Sequence, residues 1–303
     1  MRNIHYYADQ MHIHGDSANT EKRIGLAFAL NTLFVLVEIA GGFWTGSVAI
    51  ISDAVHDLGD SMFLGTSFLI QKISSRKNDS RFTYGYRRFN LLASIFNGIV
   101  LIAGSSAVLY ESFSRLFEHH AVYAPGMILL AIPGILINGY GAYRVNAGKT
   151  MLEKVISLHL LEDVLGWVVI LISGIVLIFY DIPYIDPVLS IVLISFTLWN
   201  ALRLMVKTVY LFLQGVPDSL DMNKIEKEIL CMDGIHSVHA YHAWSLDGDN
   251  NVVTMHVVLN SKVSDDRIHT IRRDVKSILS DYRVNHATVE IEQENEFCEN
   301  RNQ

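Results

Sequence analysis

Six stretches of mostly apolar residues, at about 24 to 45, 48 to 70, 90 to 113, 126 to 146, 155 to 180 and 187 to 213, leave this chain few folds. A bilayer core takes roughly 20 apolar residues of helix to cross, and in lipid every backbone polar group must be satisfied within the segment, as a helix does. The expectation is an α-helical membrane protein whose six transmembrane helices occupy residues 23–215. Composition agrees, because half of the 303 residues are hydrophobic and only 18% are charged, too apolar for an ordinary soluble domain. Residues 1–22 are polar and read as an N-terminal tail. The first apolar stretch is as long as a full span, so it reads as an anchor rather than a cleavable signal.

Loop charges orient the spans, since lysine and arginine near helix ends are retained in the cytoplasm. Lys72, Arg76, Lys77, Arg81, Arg87 and Arg88 follow the second span, and Arg144, Lys149 and Lys154 follow the fourth. The connections on the other side carry only Arg115 nearby. Both termini are therefore expected in the cytoplasm. A net charge of −7 gives no basic footprint for nucleic acid. Cys231 and Cys298 make no CxxC pair or spaced zinc cluster, and neither a disulfide framework nor a redox centre is expected.

After Gly215 and Pro217 the pattern becomes that of a small soluble domain, residues 216–293. Ile225, Ile229 and Met232 recur at helical spacing before Gly234, a stop signal. Residues 236–244 and 252–259 read as strands around the Asp247-Gly248 turn. Ser264 stands where a second helix starts, with Ile268, Ile271, Val275, Ile278 and Leu279 on one face, and Ala287, Val289 and Ile291 alternate as a last strand. The order αββαβ is that of a two-layer, ferredoxin-like domain. Residues 294–303 read as a disordered polar tail.

The spans also carry groups that lipid penalises. The second contains Ser52-Asp53-Ala54-Val55-His56-Asp57-Leu58-Gly59-Asp60 and the fifth His159-Leu160-Leu161-Glu162-Asp163, so each holds HxxxD. Residues four apart share a helix face, and two facing helices offer two imidazole nitrogens and two carboxylates, a tetrahedral set that suits Zn²⁺. A charged group at mid-bilayer costs about 2.5 to 3.5 kcal/mol on insertion scales, which two idle hydrogen-bonded pairs do not explain. The residues point to a divalent-metal transport site of His56, Asp60, His159 and Asp163. Protons compete with metal for imidazole, so the site suits metal/proton exchange. Asp53 lies on nearly the same face and either relays protons or hydrogen-bonds a neighbouring helix. Asp57 and Glu162 are expected to point away from the motif faces. Asn31, Glu38, Asn97 and Asn138 read as interhelical polar contacts. Pro133-Gly134 in the fourth span marks a bend or a fixed kink, and His5, His12 and His14 read as incidental histidines of the tail. A membrane metalloenzyme is the rival class, but it needs an open coordination position and further acid or base groups. A metal sensor lacks any signalling module in the chain.

Taken together, six spans, HxxxD on the second and fifth, GSVAIISDAVHDLGD, RFTYGYRRFNLL and the αββαβ domain resemble the cation diffusion facilitator family, in its zinc and cadmium efflux branch. The resemblance implies a homodimeric metal/proton antiporter that exports Zn²⁺ from the cytoplasm, or alternatively Cd²⁺ or Co²⁺, and that is not an enzyme. It implies an integral protein of a bacterial inner membrane whose partners are lipid, divalent ions and protons. Relatives bind a regulatory metal in the cytoplasmic domain, and the matching positions are His236, His256, His269 and Glu292, with His239, His242 and His286 as further candidates. The loop 79–86 lacks the histidines that give some bacterial members another site, and the loop 146–154 is short, which favours a prokaryotic origin.

Overall fold

The computed structural model describes residues 29, 32–74, 76, 78–118, 120–146, 151–180, 182–260, 263–294 and 298. The N-terminal tail with His5, His12 and His14, Asn31, and most of the C-terminal tail lie outside the described residues, as does the side chain of His159. In chain order the elements are α1 (Thr32–Thr45), α2 (Val48–Ser74), α3 (Phe89–Arg115), α4 (Ala124–Asn146), α5 (Met151–Phe179), α6 (Ile185–Phe212), α7 (Met222–Leu230), β1 (Ile235–Ser245), β2 (Asn251–Leu259), α8 (Asp265–Asp281) and β3 (Val284–Gln293). They divide into two compact units, residues 1–66 with 97–203 and residues 67–96 with 204–303.

Four described helices are long and apolar enough to cross a membrane, over Phe89–Arg115, Ala124–Tyr143, Leu160–Phe179 and Ile185–Phe212. The described part of α1 is a shorter apolar helix, and α2 carries Asp53, Asp57 and Asp60 within three turns. In the first unit Phe34, Ile50, Met127, Ala131, Trp167 and Ile170 form the core. Phe34 and Trp167 meet edge to face at 5.5 Å between ring centroids, a geometry that aligns the positive ring edge with a negative face. Pro133 lies within a continuous α4. The adjacent Gly134 has a packing role, because a Cβ there would stand 2.4 Å from Trp167 Cδ2. Small residues of this kind let membrane helices approach closely.

Polar contacts tie helix ends and faces. Asp186, at the start of α6, accepts from the Ser47 hydroxyl and from the Val48 N–H at 2.8 Å. It thereby serves the unsatisfied amides at the N-terminus of α2 from a distant part of the chain. Asn97 Nδ2 donates to Thr66 Oγ1 at 2.6 Å, joining α3 to α2, the interhelical role expected for it. Asn138 is buried in α4.

The second unit contains a three-stranded sheet in the order β1-β2-β3, with β1 antiparallel and β3 parallel to β2. The order αββαβ is thus observed. Asp221 caps α7 by accepting from the Lys224 N–H, and Gly234 takes a positive φ of 96° where the chain turns into β1. Ser264 stands at the N-cap of α8 without a side-chain hydrogen bond to it. Ile225, Ile229, Val253, Met255, Val257, Leu259, Ile271, Val275 and Leu279 bury one sheet face against the two helices. Alternation along β2 therefore turns His256 toward the opposite face. Between His239 and His242 the register slips, and Ala240 adopts φ 48°. Such bulges re-aim side chains on an otherwise regular strand.

Candidate metal sites

α2 presents the first histidine pair as helix geometry requires. His56 Nε2 stands 3.6 Å from Asp60 Oδ2, and the two side chains are 32% and 34% exposed. Asp57 departs from the expectation that it faces elsewhere: it is fully buried, and it offers an oxygen within 4.8 Å of ligand atoms on His56 and Asp60. The reason is the i,i+3 relation of Asp57 to Asp60, which makes them neighbours on the helix surface. Glu162 on α5 is exposed, whereas Asp163 is buried.

Further carboxylates join them. Asp57 lies in the electrostatic field of Glu38, Asp53, Asp163 and Asp60, and Asp53 in that of Asp163. Glu38, buried in α1, adjoins Asp57 and Trp167. A Cβ at Gly166 would sit 3.4 Å from Asp53 Oδ1, so the missing side chain lets α5 come close to that carboxylate. Five carboxylates from α1, α2 and α5 thus share one region of the first unit. Repulsion among like charges at low dielectric is relieved by a bound cation or by protons. Glu38 makes the interhelical polar contact expected of it, and the sequence signal for Asp57 is the cost of any carboxylate inside an apolar span.

A second cluster occupies the open face of the sheet. His239 on β1 is registered opposite His256 on β2, their ring centroids 5.2 Å apart. Glu292 on β3 is hydrogen-bonded through Oε1 to His256 Nδ1, and its Oε2 lies 3.5 Å from His239 Nε2. Cys298 Sγ lies 3.4 Å from His239 Nε2 and 3.5 Å from His256 Nδ1. Burial opposes the charge on Glu292, but hydrogen bonds from Cys298 and His256, with the adjacent imidazoles of His239 and His256, outweigh it and hold the carboxyl below its ordinary value. All four residues offer ligand atoms within 4.8 Å of one another. Histidine, carboxylate and thiol together form a donor set for a tetrahedral divalent ion.

Of the positions picked out from sequence, His256 and Glu292 are brought together here, while His236 and His269 are exposed and enter no such group among the described residues. His242 is also exposed, and His286 packs edge-on against Tyr84 at 5.4 Å. Cys298 has no CxxC partner, yet tertiary folding places it against two histidines from other strands. Nothing in the local spacing signals this.

The family model of the cation efflux transmembrane domain matches residues 24–213, and that of the cation efflux protein cytoplasmic domain matches residues 217–294. The chain is 33% identical over 279 residues to the zinc transporter ZitB of Yersinia pseudotuberculosis, covering 90% of this chain and 88% of the relative. It is 30% identical over 284 residues to the metal cation efflux system protein CzcD of Cupriavidus metallidurans, covering 93% and 89%. To the cadmium, cobalt and zinc/H⁺-K⁺ antiporter of Bacillus velezensis it is 29% identical over 286 residues, covering 93% and 91%. With both domains matched in order over nearly its whole length, the chain belongs to the cation efflux family.

Proposed function

We propose that this protein exports Zn²⁺ from the cytoplasm in exchange for protons, working as a homodimer of six-span subunits with both termini cytoplasmic in a bacterial plasma membrane. His56, Asp60, His159 and Asp163 hold the ion in transit, and Asp53 passes protons to or from them. The reading is carried by one observation: an imidazole and several buried carboxylates gather in the membrane domain of a cation efflux chain, where lipid makes such groups costly without a cation to serve. Hard carboxylate and borderline imidazole donors suit Zn²⁺ and also accept Co²⁺ and Cd²⁺. The names of the ZitB and antiporter relatives cover these same ions, and that of CzcD gives a metal cation.

Exchange follows from the donors. Metal binds neutral imidazole and ionised carboxylate, so every proton gained at the site weakens the hold on the ion. Metal loads from the cytoplasm, the helices reorient, and protons from the far side displace it. The cytoplasmic domain pairs two subunits, in keeping with its family, and holds regulatory metal through His239, His256 and Glu292. His236 and His269, the other positions that match the family's regulatory site, are exposed and stand outside this group among the described residues.

The test is Zn²⁺ entry into proteoliposomes with and without a pH gradient at clamped voltage. Wild type accumulates Zn²⁺ when the lumen is acidic, and Asp163→Ala abolishes the flux while preserving dimer assembly. Flux indifferent to the gradient removes proton coupling, and undiminished flux in Asp163→Ala removes the site assignment.

A further inference from the structure

Three of the four ligands in the cytoplasmic cluster come from the sheet, and the fourth does not. Cys298 lies beyond the end of β3 and beyond residue 294, where the match to the family's cytoplasmic domain stops. Its Sγ nevertheless reaches both imidazoles, at 3.4 and 3.5 Å. With metal–sulfur bonds near 2.3 Å and metal–nitrogen or metal–oxygen bonds near 2.0 to 2.2 Å, the edges of a tetrahedral site are about 3.3 to 3.6 Å. The two S···N separations and the 3.5 Å between His239 Nε2 and Glu292 Oε2 fall in that range. The His239 and Glu292 side chains are only 11% and 5% exposed although they stand on the sheet face away from the helices.

We propose that Cys298 supplies a thiolate as the fourth ligand of the His239–His256–Glu292 site, so that this site takes a soft divalent cation, Cd²⁺ above Zn²⁺. Binding exchanges the thiol proton for a sulfur–metal bond and releases that proton to solvent. Sulfur is the softest donor available to a protein, and it shifts preference toward soft ions. The transport residues on α2 and α5 contain no sulfur. The two sites therefore differ in kind: one offers oxygen and nitrogen to cargo, the other adds sulfur and senses the softest ion in the cytoplasm. The proposal rests on the reading that the cytoplasmic domain holds metal at this face.

The experiment is a Co²⁺ and Cd²⁺ titration of the purified full-length protein in detergent, in an Asp163→Ala background that weakens the membrane site. A sulfur-to-metal charge-transfer band is expected to grow to one equivalent per chain, to vanish in Cys298→Ser and to persist in Cys231→Ser. Competition between the ions is expected to show Cys298→Ser losing Cd²⁺ affinity by roughly tenfold more than Zn²⁺ affinity. Metal bound to the domain without the band, or a band that survives Cys298→Ser, overturns the thiolate ligand while leaving the domain's metal binding intact. Stoichiometry unchanged by the paired substitution His239→Ala and His256→Ala overturns metal binding at this face itself.

Discussion

Replacing Gly134 by alanine tests whether α5 is held in place by the fit of Trp167 against α4. The added Cβ would lie 2.4, 2.6 and 2.7 Å from Trp167 Cδ2, Cε2 and Cγ. Carbon atoms settle at about 3.5 to 4.0 Å, so the ring or the helix must retreat by roughly 1 Å. The indole has little room to do so, being fully buried with Phe34 packed on it at 5.5 Å. Overpacking of this size costs about 1 to 3 kcal/mol. Asp163 precedes Trp167 by four residues on α5 and shares its face, so a displaced ring also displaces the carboxylate. Thermal unfolding of the detergent-solubilised protein should show a lowered Tm, and proteoliposomes should show reduced Zn²⁺ flux. Trp167→Phe, with a smaller ring, should relieve part of the loss, giving a favourable coupling of about 0.5 kcal/mol or more in a double-mutant cycle. A Gly134→Ala protein that melts and transports like wild type, or strictly additive losses in the double variant, would refute the packing argument.

Two further outcomes follow from hydrogen bonds at helix ends and loops. Asp186→Ala strands the Ser47 hydroxyl and the Val48 N–H, and thermal unfolding should register a loss of about 1 to 3 kcal/mol, less for Asp186→Asn, which keeps one acceptor oxygen. Asp79 accepts from the Tyr86 hydroxyl and from the N–H groups of Phe82 and Arg81, which hold its carboxyl below the usual range. Because the folded value is the depressed one, its support for the 79–86 turn is complete above the ordinary carboxylate range and is lost as pH falls through the folded value. Amide exchange across this turn should accelerate on that acid limb in wild type, and Asp79→Asn should remove the pH dependence.

Periodicity and composition were enough for four of the six expected spans, the described helices long and apolar enough to cross a membrane, and for the αββαβ order, since hydrophobic length and alternation are local properties of a chain. The geometry of the first candidate pair was equally legible, because four residues of α-helix bring His56 and Asp60 to one face whatever surrounds them. Contacts between elements were not. Sequence marks Glu38 as an interhelical polar contact without naming its partner, and folding sets it beside Asp57; Asp57, expected to point away from the motif face, is instead buried beside His56 and Asp60. Pro133-Gly134 marks a bend or a fixed kink from sequence alone, whereas in the fold the absent side chain of Gly134 makes room for an indole more than thirty residues away.

The cytoplasmic cluster shows the division most clearly. Sequence alone determined that histidines crowd the C-terminal domain and that strands there alternate between a buried and an open face. It did not determine which histidines meet. That choice was made by the antiparallel register that sets His239 against His256, by the parallel β3 that brings Glu292 to the same face, and by the position of Cys298 against both imidazoles. Clusters of this kind join residues separated by 6 to 59 positions, and only tertiary packing sets a distance between groups whose separation along the chain carries no geometry.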